Sequence, residues 1–353
     1  MPDHDSSSAL CPPDVHRSTD PSHSLDQAAR VAIIIVNYGT AELTIASVQS
    51  VLARDTSRCK IEIHVVDNAS PDGDAETLAT AHSEHGWGAR VTLWPEGKNG
   101  GFGAGNNVVL RALLARDNPP EYAFLLNPDA HLENDAPEIL ANALDADDKA
   151  GFAGASLSQP TGEPLAGAFR FPRPIGEFQR QLAFGPVVRR FPKLVTPLPS
   201  DHPEGTVDWV SGAAVMIRLA TLRDIGVFDT GYFLYYEEVD LMHRGARANW
   251  HTVFVPQAKV VHVGGAATNI RSGTQKAPRK PAYWYRSWGK YFGDNYGLKG
   301  LTLAATAWTL GAVGNHLLGL VPGRTVSVPQ RFYGDIWAFA WRPLLGLKEG
   351  TRD

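Results

Sequence analysis

The chain has 353 residues, 43% hydrophobic and 20% charged, an ordinary globular balance with length enough for one large core or two modest ones. Its formal net charge of -4 disfavours a nucleic-acid partner, because phosphates would have to be met by local Lys, Arg, metal or backbone amides. The only cysteines, Cys11 and Cys59, are far apart and form no C-x-x-C pair, which excludes a disulfide framework and a thiolate zinc site and fits a reducing cytoplasm.

Residues 1–29 are rich in Ser, Asp, Pro and His and lack the apolar core of a secretory signal, so they read as a disordered tail. "VAIIIV" (Val31 to Val36) is a β-branched run of buried-strand type, closed by the turn residues "NYGT". "ELTIASVQSVLAR" has helical apolar spacing and "IEIHVVDNAS" returns to a strand pattern, which together make a β-α-β unit. Helix "DAETLATAHSEH", strand "ARVTLWPE", helix "GAGNNVVLRALLAR" and strand "YAFLLNPDA" follow, the last stopped by Pro128. Such alternation predicts a mostly parallel central sheet flanked by helices.

From Gly151 to Ser200 the pattern loosens into a Pro-rich, Arg-rich stretch that reads as an excursion from the core. "VDWVSGAAVMIRLATLRDIG" resumes strand and then helix, and "NWHTVFVPQAKVVHVGG" holds two β-rich runs. One domain therefore spans residues 30–265, and residues 266–353 read as a basic loop with a helical C-terminal appendage. Within it, Leu301 to Val321 carries no charge, yet Thr, Gly, Asn315 and His316 dilute it, which predicts buried or amphipathic helix, compatible with lying on a membrane surface.

Open α/β sheets place ligands at the carboxyl ends of their strands. The polar residues there are Asn37, Asp67 with Asn68, the loop Gly97 to Asn107, and Asn127 with Asp129. Each alone is also ordinary turn chemistry. Asn127 and Asp129, two apart on extended backbone, project the same way and suit a hard divalent cation that also takes phosphate oxygens. His262, again after a strand, could join Asp129 in holding manganese. In "GYFLYYEEVDLMHR", Asp240 stands four residues before Arg244, the spacing of a helical ion pair, while Glu237 and Glu238 fall in the first turn where the helix dipole favours negative charge. A carboxylate held there against aromatic walls is placed to accept a proton from a hydroxyl.

"VAIIIVNYGT", "VVDNASPDG", "NGGFGAGNN", "LLNPDA", "FLYYEEVDLMHR" and "VVHVGG", in this order and spacing, resemble family 2 glycosyltransferases, especially the rhamnosyltransferase-like bacterial enzymes of cell-surface polysaccharide assembly. The resemblance implies a GT-A fold, Rossmann-like, with a nucleotide-diphosphate sugar donor, a divalent metal (Mg or Mn) and inversion at the anomeric carbon. It places Asn37, Asp67, Asn99, Gly101, Asn106, Asn107 and Asn127 around the nucleotide sugar, Asp129 and His262 at the metal, and Trp209 and Gly212 at the acceptor. Relatives commonly read Glu-Asp-Val-Asp-Leu, with the Asp after the first Glu as base. Here that position is Glu238, one methylene longer, with Glu237 as the fallback. The Arg-rich stretch from Arg170 to Arg190 and the apolar C-terminal helices are compatible with a glycan or polyprenyl diphosphate-linked glycan acceptor, met in the cytoplasm at the inner membrane face. Basic Arg271, Lys276, Arg279 and Lys280 could close over phosphates. Two further readings are a nucleotidyltransferase, whose basic glycine-rich signature "IIVNYGTAEL" lacks, and a non-catalytic sugar-binding protein of the same fold.

Overall fold

A computed structural model describes residues 28–54, 58–264 and 277–350. The tail expectation falls outside the described residues up to position 27, and the first strand already begins at Ala29.

Strand β1 (Ala29–Asn37) is hydrophobic without interruption from Val31 to Val36 because both of its faces are covered there. Val31, Ile33 and Ile35 point into one apolar cluster, and Ala32, Ile34 and Val36 into a second on the opposite face. Each fully buried Ile or Val contributes about 1.5–3 kcal/mol relative to exposure. Helix α1 (Ala41–Leu52) leads to β2 (Cys59–Asp67), and α2 (Asp74–Glu84) to β3 (Val91–Pro95). Helix α3 (Phe102–Leu114) returns the chain to β4 (Tyr122–Leu126) and the short β5 (Ala130–Leu132). Helix α4 (Ala136–Asp145), a segment to which the sequence reading gave no element, joins α1 and α2 on one face of the sheet, while α3 lies on the other.

The loose stretch after Gly151 opens with a core strand, contrary to its reading as an excursion: β6 (Ala150–Ser158) is buried along most of its length. Its small residues obscured it. A Cβ at Gly154 would lie 2.4 Å from Val210 Cβ, and one at Gly151 would lie 2.7 Å from Thr221 Oγ1, so close layer packing takes the place of the β-branched side chains that mark other strands. Beyond it come β7 (Pro164–Leu165), β8 (Ala168–Phe169), α5 (Gly176–Leu182) and α6 (Gly185–Arg190). Then follow β9 (Gly205–Val207), β10 (Trp209–Val210), β11 (Ala214–Arg218), α7 (Leu219–Ile225) and α8 (Glu237–Arg247). The two β-rich runs after Trp250 are one strand, β12 (His251–His262), whose register shifts between Val255 and Lys259 around Pro256.

The sheet runs β3-β2-β1-β4-β11-β6-β12-β5. Its first four strands are parallel, as alternation predicts. Past β4 it becomes mixed, since β11 is antiparallel to both β4 and β6, and β12 runs parallel to β6. Consequently β1, β2, β4, β6 and β12 all end at one edge. Helix α9 (Ala282–Leu318) turns at Gly297 (φ 68°, ψ −177°), and its aromatic first half packs with Tyr232 and Val239 in a third cluster. Leu301 to Leu318, read as buried or amphipathic helix, forms its second half, with Trp308 and Ala312 buried and Leu310 and Leu317 exposed.

Candidate active site

At the carboxyl edge of the sheet a cavity of about 440 Å³ is bounded by the ends of β1, β2, β4 and β12, the glycine loop, and the loop leading into α8. Asn99, Gly101, Asn127, Asp129, Gly212, Glu237, Glu238 and His262 stand on its wall. Sequence reasoning had no signal for Tyr283, which reaches the same wall from α9.

Asn37, Asp67, Asn106, Asn107 and Trp209 stand behind that wall. Asn37 is fully buried and donates to Asp67 Oδ1 (2.9 Å), Ser70 Oγ (3.1 Å) and Asp74 Oδ2 (2.8 Å). This ties the ends of β1 and β2 to the start of α2. Asn107 clips α3 to the Phe228 backbone, donating at 2.8 Å and accepting at 3.0 Å. Asn106 donates to Phe102 O, one turn back. Trp209 stacks on Phe169 with ring centres 4.1 Å apart, and its indole N–H is held by Arg170 O.

Gly101 cannot carry a side chain. Its φ of 88° with ψ of 177° is a glycine-only conformation, and an added Cβ would sit 1.8 Å from Phe233 O. Phe102 N–H donates to that same oxygen at 3.2 Å, so the glycine loop is locked to the acidic loop. Asn68 closes the other side by donating to Asn99 Oδ1 (3.0 Å) and Gly101 O (3.1 Å). The glycines therefore serve close approach of loop to loop here.

The acidic loop enters α8 through Tyr235 and Tyr236, consecutive non-glycine residues at φ 69° and 70°. Backbone in this region costs about 1–3 kcal/mol per residue, and the surrounding packing holds it. Its effect is to turn Glu237 and Glu238 into the cavity. One carboxyl oxygen of each is buried and meets no protein donor. Burial raises both carboxyls above the usual range, and the Glu238 charge raises Glu237 further. Asp240 has a structural partner instead. It braces α8 through Arg244, whose Nε donates at 2.9 Å while its other nitrogens hold Ile225 O and Val227 O.

Asp129 and His262 meet because β5 and β12 pair with Ala130 opposite His262. His262 Nε2 lies 3.2 Å from Asp129 Oδ1 and 3.2 Å from Asn127 Nδ2. One ring nitrogen thus faces a carboxylate and an amide donor at equal distance, and a neutral imidazole cannot satisfy both. A cation between imidazole and carboxylate resolves the conflict. Among the described residues no three His, Cys, Asp or Glu side chains form a metal cluster. One carboxylate and one imidazole therefore fit a divalent ion that takes its remaining ligands from phosphate oxygens and water.

Of the basic residues after His262, Arg271 and Lys276 lie outside the described residues. Arg279 is committed to Asp335 at 2.6 Å and 2.9 Å, and Lys280 lies over the Trp284 ring.

The mixed sheet, the cavity at its carboxyl edge and the helical C-terminal region define a GT-A fold. The crystal structure of GalNAc-T7 with UDP, GalNAc and Mn2+ superposes with a TM-score of 0.55 at 13% identity, covering 93% of this chain and 60% of that one. The mannosyltransferase PcManGT from Pyrobaculum calidifontis, in complex with GDP-Man and Mn2+, gives 0.52 at 15% identity, covering 85% and 78%. Residues 32–190 match the family described as Glycosyl transferase family 2. It is 29% identical over 213 residues to the N-acetylglucosaminyl-diphospho-decaprenol L-rhamnosyltransferase of Mycobacterium tuberculosis, with 57% of this chain and 66% of that protein covered. It is 26% identical over 167 residues to rhamnosyltransferase WbbL of Escherichia coli, with 46% and 60% covered. The matched segment thus spans slightly under two thirds of these relatives, and the rhamnosyltransferase-like resemblance read from the motifs stands.

Proposed function

We propose that this chain is an inverting hexosyltransferase that moves a sugar, rhamnose by the names of its relatives, from a nucleotide-diphosphate donor to a hydroxyl of a glycan or polyprenyl diphosphate-linked glycan. The product would enter cell-surface polysaccharide. The observation that carries this reading is the Glu238 carboxyl, with a buried oxygen free of protein donors, on the same cavity wall as the Asp129 and His262 pair.

Glu238 accepts the proton of the attacking hydroxyl as the sugar departs from its diphosphate on the opposite face. Glu237, more deeply buried and raised further by its neighbour, keeps its proton while Glu238 gives its own up, since two adjacent buried carboxyls do not both ionise readily. The sugar passes through an oxocarbenium-like state, with no covalent enzyme intermediate. Asn99, Gly101 and Asn127 on the cavity wall would contact the donor. Asn37, Asp67, Asn106 and Asn107 would act by fixing the loops that do so, and Gly212 leaves room beside Glu238 for the acceptor. Asp129 and His262 would hold magnesium or manganese, which when bound neutralises charge developing on the leaving diphosphate.

No helix among the described residues is long and apolar enough to cross a membrane. Peripheral attachment is supported instead. Leu303, Leu310, Val313 and Leu317 form an exposed stripe along α9, continued by Leu320 at 80% exposure. Arg324, four residues past Leu320, donates to Ala183 O at 3.4 Å, and Arg189 and Arg190 of α6 are exposed. An apolar stripe edged with cations complements an anionic lipid surface.

The test is nucleoside diphosphate release from a panel of nucleotide sugars with manganese or magnesium, for the parent chain, Glu238→Gln and Asp129→Ala. Metal-dependent release from one donor, reduced about 10²- to 10⁴-fold in Glu238→Gln, is expected. Pyrophosphate as the product would indicate a nucleotidyltransferase. No release from any donor, even with membrane glycolipid supplied, would leave a binding protein.

A further inference from the structure

Three aromatic rings share the cavity wall on the side of the acidic loop: Phe233, Tyr235 and Tyr283. The Tyr283 ring centre lies 5.4 Å from that of Phe233 and 6.3 Å from that of Tyr235, and the two tyrosine planes differ by only 22°. Phe233 is 39% exposed even though its backbone oxygen is tied to the glycine loop through Phe102 N–H.

Tyr283 is held in this group from behind. Helix α9 starts directly after Pro281, and one turn past Tyr283 the buried Ser287 hydroxyl donates to Leu234 O at 3.0 Å, on the residue between Phe233 and Tyr235. The next ring along the helix, Trp284, packs edge-on to Tyr236 at 5.8 Å. These contacts set the first turn of the C-terminal helix against the acidic loop and bring Tyr283 to the cavity.

A packing role alone would bury such rings. A large ring left exposed on a cavity wall marks a surface for a ligand with an apolar face. A pyranose has one, since its axial C–H groups project from the ring face while most of its hydroxyls lie at the edge. The negative face of an aromatic ring attracts those C–H groups, and the contact removes apolar area from water. The location favours the acceptor's sugar. Phe233 and Tyr235 stand five and three residues before Glu238 on one loop. The hydroxyl that yields its proton to Glu238 must come within hydrogen-bond reach of that carboxyl, so the ring bearing it must lie against this loop.

We propose that Tyr283, with Phe233 and Tyr235, forms a platform that binds the acceptor's sugar ring by its C–H face and so selects the acceptor. The inference rests on the transferase reading for the role of Glu238. It gives the first turn of the C-terminal helix, beyond the family-matched residues 32–190, a part in substrate choice.

Saturation-transfer NMR on the full chain tests it, with a panel of methyl hexopyranosides and methyl N-acetylhexosaminides as probes. The parent, Tyr283→Phe and Tyr283→Ala are compared, each first shown by thermal unfolding to be folded. At least one glycoside should receive saturation on one ring face in the parent, keep it within about twofold in Tyr283→Phe, and lose it by about fivefold or more in Tyr283→Ala. Phe233→Ala, which retains the backbone contact to the glycine loop, is the second variant and should lose about twofold or more. No signal in the parent, or equal signals in all variants, overturns the platform. Nucleoside diphosphates are titrated into the same proteins, and Tyr283→Ala should weaken the glycoside by about fivefold more than any nucleotide. A loss that falls on the nucleotide instead, or displacement of the glycoside by the nucleotide sugar that the chain turns over, overturns the assignment to the acceptor. Tyr283-dependent glycoside binding in a chain that releases nucleoside diphosphate from no donor would keep the platform and refute the transferase reading instead.

Discussion

Gly101→Ala tests the lock between the glycine loop and the acidic loop. The new Cβ would start 1.8 Å from Phe233 O, 2.6 Å from its carbonyl carbon and 2.9 Å from its Cα, all backbone atoms that no rotamer change can move. Reaching ordinary contact needs a shift of about 1.5 Å. The glycine-only backbone conformation adds about 1–3 kcal/mol, the forced shift about as much, and loss of the Phe102 N–H bond to Phe233 O about 1 kcal/mol. A total of about 3–7 kcal/mol is a large part of the 5–15 kcal/mol that holds a typical domain. Urea unfolding followed by tryptophan fluorescence should show that loss. Nucleoside diphosphate release should fall by more than about 100-fold, because Glu237 and Glu238 follow Phe233 on the same loop. Gly97→Ala, where a Cβ meets nothing within 4 Å, is the control and should stay within about 0.5 kcal/mol. A Gly101→Ala variant that loses under 1 kcal/mol and keeps full activity would refute the lock.

Glu237 carries a carboxyl whose folded value is raised, so its contribution to folding is best below the ordinary carboxylate range and is lost as pH rises through the raised value. Calorimetry should therefore find Glu237→Gln more stable than the parent by about 1–3 kcal/mol at pH 8, with the difference gone near pH 4. Asn107→Ala removes both hydrogen bonds to Phe228 and strands two backbone groups, which should lower stability by about 2–4 kcal/mol in urea. Leu310→Glu with Leu317→Glu, both on the exposed stripe, should abolish flotation with anionic vesicles and shift folding stability by no more than about 1 kcal/mol.

The first half of the sheet was legible because β1 and β4 carry near-continuous apolar runs, β2 turns apolar and buried over its second half, and each is followed or closed by Asn or Asp. Strand β6 was not, because its glycines answer to Val210 and Thr221, residues far along the chain. The Asp240 to Arg244 pair could be read from spacing alone, since a helix fixes that geometry locally. Asn37 could not be placed by the same means. A strand-terminal Asn looks identical in sequence whether it faces a ligand or, as here, the loop that carries Ser70 and Asp74. The glycine loop could be placed at the ligand edge by its position after β3, but its partner, Phe233 O, becomes visible only once α8 is folded against α3.

Strand β5 occupies the edge of the sheet, and β12 is its only strand neighbour among the described residues. Asp129 and His262 are therefore joined only when the last-made strand has docked. In a chain emerging from the ribosome, the cation site cannot exist until synthesis has passed His262. A bound cation would then act as a clasp on the sheet's final seam, and at 100 times its Kd it would hold that seam by about 2.7 kcal/mol. Loss of the proposed ion would then loosen this edge as well as slow the departure of the diphosphate.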